Sequence, residues 1–361
     1  MKPVLTLLAA LLLVPLVALQ AADKPAKPNP DQSAGVDPDN GKAPRPEKTV
    51  PPRLIPNPNS TEDYARAKRT CSGVPSLAVS RGGRLWAAWF SGTTPGEIIE
   101  RCPHAYVVVS TSGDGGKTWK EVLAIDPDGA GPLKAYDPHP WIDPDGKLWV
   151  FFTLPFPLHK HAWAIKAEDG DQESPAWSSP RPVFEGPLLN RPTGLTNGDW
   201  LFPTYARRPQ NMKGIGESVS NDGGTTWSPL KVPAIQHTSS RFFIGRLQSG
   251  NLLLVKHLRI DEDPLSAGKP KQRRELTAFL SKDYGKTWTG GLVLDERVGC
   301  SYPDIQQTPD GTLYMVWDFM RSRDQEILMT TFREDGVLAA NDEAAARVKT
   351  NRKLVSKGGT P

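Results

Sequence analysis

The stretch Ser110–Trp119 reads STSGDGGKTW, and its pattern S-x-D-x-G-x-T-W returns as SNDGGTTW at Ser220–Trp227 and as SKDYGKTW at Ser281–Trp288. Three matches at five fixed positions mark a repeat, and a repeat restricts the folds open to a chain more than any composition does. A second element runs between them: GGRLWAAW (Gly82–Trp89), DGKLWVFF (Asp145–Phe152), NGDWLFPT (Asn197–Thr204), SGNLLLVK (Ser249–Lys256) and DGTLYMVW (Asp310–Trp317). Each reads as a glycine turn opening a strand. The turn glycines Gly83, Gly146, Gly198, Gly250 and Gly311 step by 63, 52, 52 and 61 residues. The box tryptophans agree, with 108 residues from Trp119 to Trp227 and 61 from there to Trp288. Trp177, in EDGDQESPAWSSP, stands where a worn copy is due.

Within each period a short strand, a glycine turn, a second strand, a loop, a third strand, the Asp motif and a fourth strand follow in order. In the first repeat the strands are SLAVS, RLWAAWF, AYVVVS and EVLAID. Such a unit predicts an all-β fold, a β-propeller of four-stranded antiparallel blades, five by this count. The blades fall at about 72–126, 135–186, 190–235, 240–295 and 301–358, within a domain over residues 59–361. A β-sandwich has no reason to repeat its turn chemistry. In the motif the Asp and Ser side chains can bond the turn's own backbone and the Trp can cover the hairpin. The motif joins strands three and four, so it is scaffold, and a site belongs on the opposite face.

The chain opens with Lys2, an apolar run and small residues, the order of a secretory signal peptide over residues 1–22 and too short to favour a membrane span. Residues 23–58 are rich in proline and charge and read as a disordered linker. The expectation is export to the periplasm or the exterior. A net charge of +4 over 361 residues gives no nucleic-acid footprint. Cys71, Cys102 and Cys300 cannot all pair within one chain, but export permits one disulfide, and the repeat places all three on the face opposite the Asp motifs. They carry no metal-ligand spacing, the aspartate-rich DPDG turns lack the calcium-loop spacing, and neither a metal nor a cofactor is expected. Oligomeric state is not legible.

The first strand of each blade lines the central channel. Eight residues before four of the turn glycines stand Pro75, Pro138, Phe242 and Pro303, and Pro192 stands six before the fifth. Immediately ahead of these lie Val74, Asp137, Arg191, Arg241 and Tyr302, which should converge on one mouth. The loops between second and third strands add Glu97 and Glu100, Arg207 and Arg208, His257, Arg259, Asp261 and Arg273, then Asp318, Arg321, Arg323 and Asp324. Arginine clamps carboxylates in bidentate fashion, so the expected ligand is an acidic glycan or glycoconjugate.

Three Asp boxes on a propeller resemble the sialidase (neuraminidase) superfamily, whose members carry bacterial neuraminidase repeats. The likeness covers about residues 70–337, and six blades are usual in that family. CSYPDIQQTPDGTLYMVWD (Cys300–Asp318) resembles the family segment in which a tyrosine opens the last blade, which implies Tyr302 as nucleophile. RRELTAFLS (Arg273–Ser281) resembles the segment whose arginine holds the substrate carboxylate, a role for Arg273 or Arg274, and Arg207 or Arg208 resembles a further clamp. The family's first clamp arginine is missing, because SGVPSL puts Gly73 at its position. The usual Asp acid is also missing, and Glu97 or Glu100 must substitute.

The resemblance implies retaining hydrolysis of a glycoside bearing a carboxylate, with a tyrosine as the nucleophile. A neutral phenol avoids repulsion by that carboxylate and needs a base alongside, Glu217 before Asp318. Arg191, Arg241, Arg273 and Arg321 would hold the sugar with Asp137. Two rivals stand beside this reading: a non-catalytic propeller that binds acidic glycans, and a polysaccharide lyase in which Tyr302 acts as base and acid.

Overall fold

The second strand of the first repeat shows how the alternating runs build this molecule. In LWAAWFSG every side chain is buried, and alternate residues enter different cores. Leu85, Ala87 and Trp89 join a cluster with Val316, Ile327, Met329 and Val355 of the last repeat. Trp86 and Ala88 join a cluster with Val150, Phe152, Trp163 and Ile165 of the second. Strand geometry turns successive side chains to opposite faces, so a strand apolar at every position must lie in a sheet stacked on both sides. Trp86 and Trp89 are fully buried, each worth roughly 4–6 kcal/mol of transfer free energy before ordering costs.

The computed structural model describes residues 51–94, 102, 104–129, 131, 133–155, 160–185, 188, 190–194, 200–201, 240–258 and 273–359. The first blade holds β1 (Arg53–Pro56), β2 (Cys71–Val79), β3 (Leu85–Gly92), β4 (Ala105–Ser112) and β5 (Lys120–Asp126), in the order β1-β5-β4-β3-β2. The second holds β6 (Tyr136–Ile142), β7 (Leu148–Pro155), β8 (Lys160–Ala167) and β9 (Arg181–Glu185) in sequential order. A two-stranded pairing of β10 (Thr193–Gly194) with β11 (Trp200–Leu201) follows. The next blade is β12 (Phe243–Arg246), β13 (Leu252–His257), β14 (Arg274–Ser281) and β15 (Thr289–Val298). The last is β16 (Cys300–Gln307), β17 (Leu313–Phe319), β18 (Glu326–Phe332) and β19 (Lys353–Lys357), with α1 (Glu334–Ala339) and α2 (Asp342–Thr350) between the final two strands. All pairings are antiparallel, and inner strands neighbour inner strands: β2 packs on β6 and on β16, and β16 on β12. This is a β-propeller, and its last blade packs against its first.

Two expectations are corrected here. The linker expected over 23–58 does not run that far, because Arg53–Pro56 adds a fifth strand to the outer edge of the first blade, where Leu54 and Ile55 pack on the two cores flanking that blade. The last blade reaches its fourth strand through two helices rather than an Asp motif. The Ala-rich segment DEAAARVKT is capped by Asn341, whose Oδ1 accepts from Ala344 N, and buries Val348. The proposed signal peptide, most of the linker and the second Asp box lie outside the described residues.

The two described Asp boxes are built alike. Asp114 accepts from Ser112 Oγ, Lys117 N, Thr118 N and Thr118 Oγ1, while Ser112 Oγ accepts from Gly116 N. Asp283 repeats the bonds from Ser281 Oγ, Thr287 N and Thr287 Oγ1, and Gly285 N donates to Ser281 Oγ. Gly116 and Gly285 both turn at positive φ, 85° and 87°. Bonds from Thr287, and then from Ser281, hold the Asp283 carboxyl down at about 2. Trp177 fills the worn box and meets Trp86 edge to face at 5.9 Å.

Candidate active site

Register separates the two faces. Cys71 pairs with Gly92 and Gly92 with Ala105, whereas Val79 pairs with Leu85 and Leu85 with Ser112, where the Asp box begins. Likewise Cys300 pairs with Phe319 and Phe319 with Glu326, at the strand ends beside the loop that carries Arg321. Cys71, Cys102, Cys300 and the channel-strand starts thus occupy the strand ends away from the Asp boxes.

At that end three inner strands share one irregularity. Val74, Asp137 and Tyr302 have φ of 56°, 49° and 55°, each precedes a proline, and each sits at a break in register with the second strand of its blade. A left-handed non-glycine residue costs of order 1–3 kcal/mol, and the recurrence of this bulge in three blades makes it a built feature of the mouth. These are three of the five positions that counting back from the turn glycines singles out.

Tyr302 gathers the arginines. The guanidinium carbons of Arg321, Arg273 and Arg241 lie 5.0, 5.1 and 5.8 Å from its ring centroid. They come from three different places: the β17–β18 loop, the residue ahead of β14, and the residue two before β12. Arg241 also donates to Pro75 O at 2.6 Å, and Arg273 to Ser301 Oγ at 3.4 Å. The ring's electron-rich face offsets part of the repulsion among three cations, and an anion would offset more.

Gly73 explains how Arg321 gets there. A Cβ on Gly73 would lie 2.3 Å from Arg321 Cδ and 2.7 Å from its Cγ, so the arginine stem occupies the room the glycine leaves. The backbone of Arg321 is held as well, because its carbonyl accepts from Ser72 N at 2.9 Å. Where the resemblance expects an arginine on the first strand, a guanidinium arrives from the last blade instead. Beneath it Asp318 is fully buried, accepting from Val74 N at 2.8 Å and from Ser301 Oγ. Burial raises its carboxyl above the ordinary value, against Arg321, those two bonds and Arg273.

Arg191 does something else. It pairs with Asp304 at 2.8 Å and donates to Leu77 O and Ile305 O, while Asp304 also accepts from Leu77 N. It thus ties the first and last inner strands together. Next to it His139 is buried with Nδ1 3.0 Å from Ser76 Oγ, and burial, followed by the Arg241 and Arg191 charges, keeps its ring neutral. His139 and Ser76 were not anticipated, although His139 follows Pro138 in the channel register and could have been found there. Asp137 takes its place at the second bulge. Arg323 and Asp324 pair with each other on the loop surface. Glu97, Glu100, Arg207, Arg208, Glu217, Arg259 and Asp261 lie outside the described residues.

A phenol ringed by three guanidiniums, with a buried carboxyl behind, can hold an anionic group and place one hydroxyl against it. A comparison with curated proteins returned no match. Among solved structures the chain is similar to a Dyadobacter fermentans protein of unknown function (14% identity, 86% of each chain, TM-score 0.42). It is also similar to a GH93 α-L-arabinofuranosidase of Fusarium graminearum bound to arabinobiose (17%, 78% of this chain and 82% of that one, TM-score 0.35). A Hadza microbial sialidase is similar at 15% identity and a TM-score of 0.29, and there the match covers 74% of this chain and 45% of the sialidase. The model of the BNR repeat-like domain matches residues 204–315, a span that runs from before the second Asp box to beyond the third. That match and the boxes recurring in one blade register support a likeness to the sialidase-like BNR-repeat proteins.

Proposed function

We propose that the protein is a secreted exo-glycosidase that removes a terminal acidic sugar, sialic acid or a relative, with retention and with Tyr302 as nucleophile. The observation that carries this reading is the convergence of Arg241, Arg273 and Arg321 on the Tyr302 ring. Three fixed cations match a carboxylate on the substrate, and charge-assisted bonds of this kind are about twice as strong as neutral ones. The carboxylate would lie against the guanidiniums, which sets the anomeric carbon over the phenol. The Tyr302 oxygen then attacks that carbon as the glycosidic oxygen leaves. A carboxylic acid, assigned to Glu97, protonates the leaving oxygen, and a base, assigned to Glu217, accepts the phenol proton. Water then displaces the tyrosine and releases the sugar with its configuration retained. A neutral nucleophile suits a substrate that is itself an anion.

The test is turnover of fluorogenic sialic acid and uronic acid glycosides by the wild-type chain and two variants. Tyr302→Phe should abolish release while leaving binding of the free acidic sugar within about twofold, because ring packing and the arginines remain. Arg273→Ala should weaken binding by roughly 1.5–3 kcal/mol, the value of a charged hydrogen bond. Hydrolysis by the Phe variant at the wild-type rate removes the tyrosine mechanism. Binding without turnover by the wild type, lost in the Arg273 variant, leaves a glycan-binding propeller.

A further inference from the structure

We propose that Cys71 and Cys102 form a disulfide that closes the wall on which Tyr302 rests. Cys71 opens β2 and faces Gly92 across the β2–β3 pairing, while Cys102 arrives three residues ahead of β4, whose Ala105 also pairs with Gly92. The glycine makes room for both sulfurs. A Cβ at position 92 would lie 2.1 Å from Cys102 Sγ and 3.1 Å from Cys71 Sγ, so the two sulfurs crowd a single spot. Both residues have no exposed surface and belong to one small apolar cluster with Val74, Phe90 and Ala105. Tyr136 and Tyr302 pack against that cluster, which makes the sulfur pair part of the backing of the candidate nucleophile.

The chemistry favours the same pair over any pairing with Cys300. A hydrogen bond from Cys71 draws the Cys102 thiol down to about 5 against the effect of burial, with smaller contributions from Thr94 and His104. Cys300 differs in kind: burial raises its thiol to about 12, and its Sγ donates to Arg297 O at 3.1 Å. Thiolate is the attacking species in disulfide exchange, and the balance is the same whichever of the two cysteines attacks first, here Cys102. During folding its thiolate attacks one sulfur of an external disulfide, such as oxidised glutathione, and expels one thiolate. Cys71, losing its proton, then attacks the Cys102 sulfur of the mixed disulfide and expels the second. The two cysteines are oxidised by two electrons in all, the external disulfide is reduced to two thiols, and the two protons lost from the cysteines end on those thiols.

The test counts thiols and reads melting, and it is independent of glycan turnover. Full-length chain purified without reductant is denatured in N-ethylmaleimide and weighed, then weighed again after reduction and alkylation. One adduct before reduction and three after it, with a peptide map linking residues 71 and 102, is the expected result. Reductant should lower the wild-type melting temperature by roughly 5–10 °C, the effect of losing a typical disulfide in a chain of this size. Cys71→Ser and Cys102→Ser should each take up two adducts without reductant and show no further shift when it is added. Three adducts on wild-type chain refolded with oxidised glutathione, or a link that includes Cys300, overturns the proposal.

Discussion

Gly73 and Arg321 form one unit, because the missing side chain of the first is the seat of the second. Gly73→Ala places a carbon 2.3 Å from Arg321 Cδ, a contact that a flexible arginine escapes by swinging away. The fold should tolerate this, with little change in melting temperature, while the third guanidinium leaves the Tyr302 ring. Affinity for an acidic monosaccharide should fall about tenfold, as measured by calorimetry, which corresponds to roughly 1.4 kcal/mol and one charge-assisted bond. Unchanged affinity would show that Arg321 takes no part in binding. Asp318 is bound into the same arrangement. Its two oxygens accept from the bulged Val74 amide and from Ser301, so the strained backbone and the site carboxyl are held by one set of bonds.

At the scale of an element, the Asp box and the proline bulge stand at opposite ends of a blade and do different things. The box saturates a turn with local bonds: Asp114 alone accepts four. Asp114→Ala should therefore lower the melting temperature of the protein and leave glycan affinity at the wild-type value, since the β3–β4–β5 register separates that turn from the mouth. A loss of affinity in this variant would place the box in the site. The box was legible in the sequence because all its partners lie within seven residues, and so was the spacing that puts Val74, Asp137 and Tyr302 at one level. The left-handed backbone at those three positions was not legible, since sequence rules push a residue before proline toward extended conformations. At Val74 the backbone is held otherwise by the bond its amide donates to Asp318 of the last blade.

Across the whole molecule the first and last blades are clasped at a single carboxylate. Glu121 on β5 accepts from Asn59, from Arg66, from both amino groups of Arg69 and, from the last blade, from Ser356. Glu121 and Arg69 are fully buried, so Glu121→Gln leaves a buried guanidinium uncompensated and should cost about 3–5 kcal/mol in denaturant unfolding. Burial alone would raise the Glu121 carboxyl, but Arg69, Arg66 and Ser356 outweigh it and bring it down to about 2. A carboxylate held below its ordinary value of 4.5 stabilises the fold fully above that pH, and the contribution is lost as pH falls toward about 2. Wild-type stability should drop through that window, and the Gln variant should show a shallower drop. The sequence by itself determined the repeat, the all-β class and which strand ends carry the polar residues, because turn chemistry and two-residue alternation are local. It also pointed to Tyr302 and Arg241 at one mouth and to Arg273 and Arg321 on the loops of the same rim. Tertiary structure decided that these four meet, that Arg191 is tied to Asp304 and that residues 53–56 extend the first blade. The first two depend on contacts between blades far apart in the chain and the third on pairing with β5 at the far end of the same blade, and no local pattern encodes either.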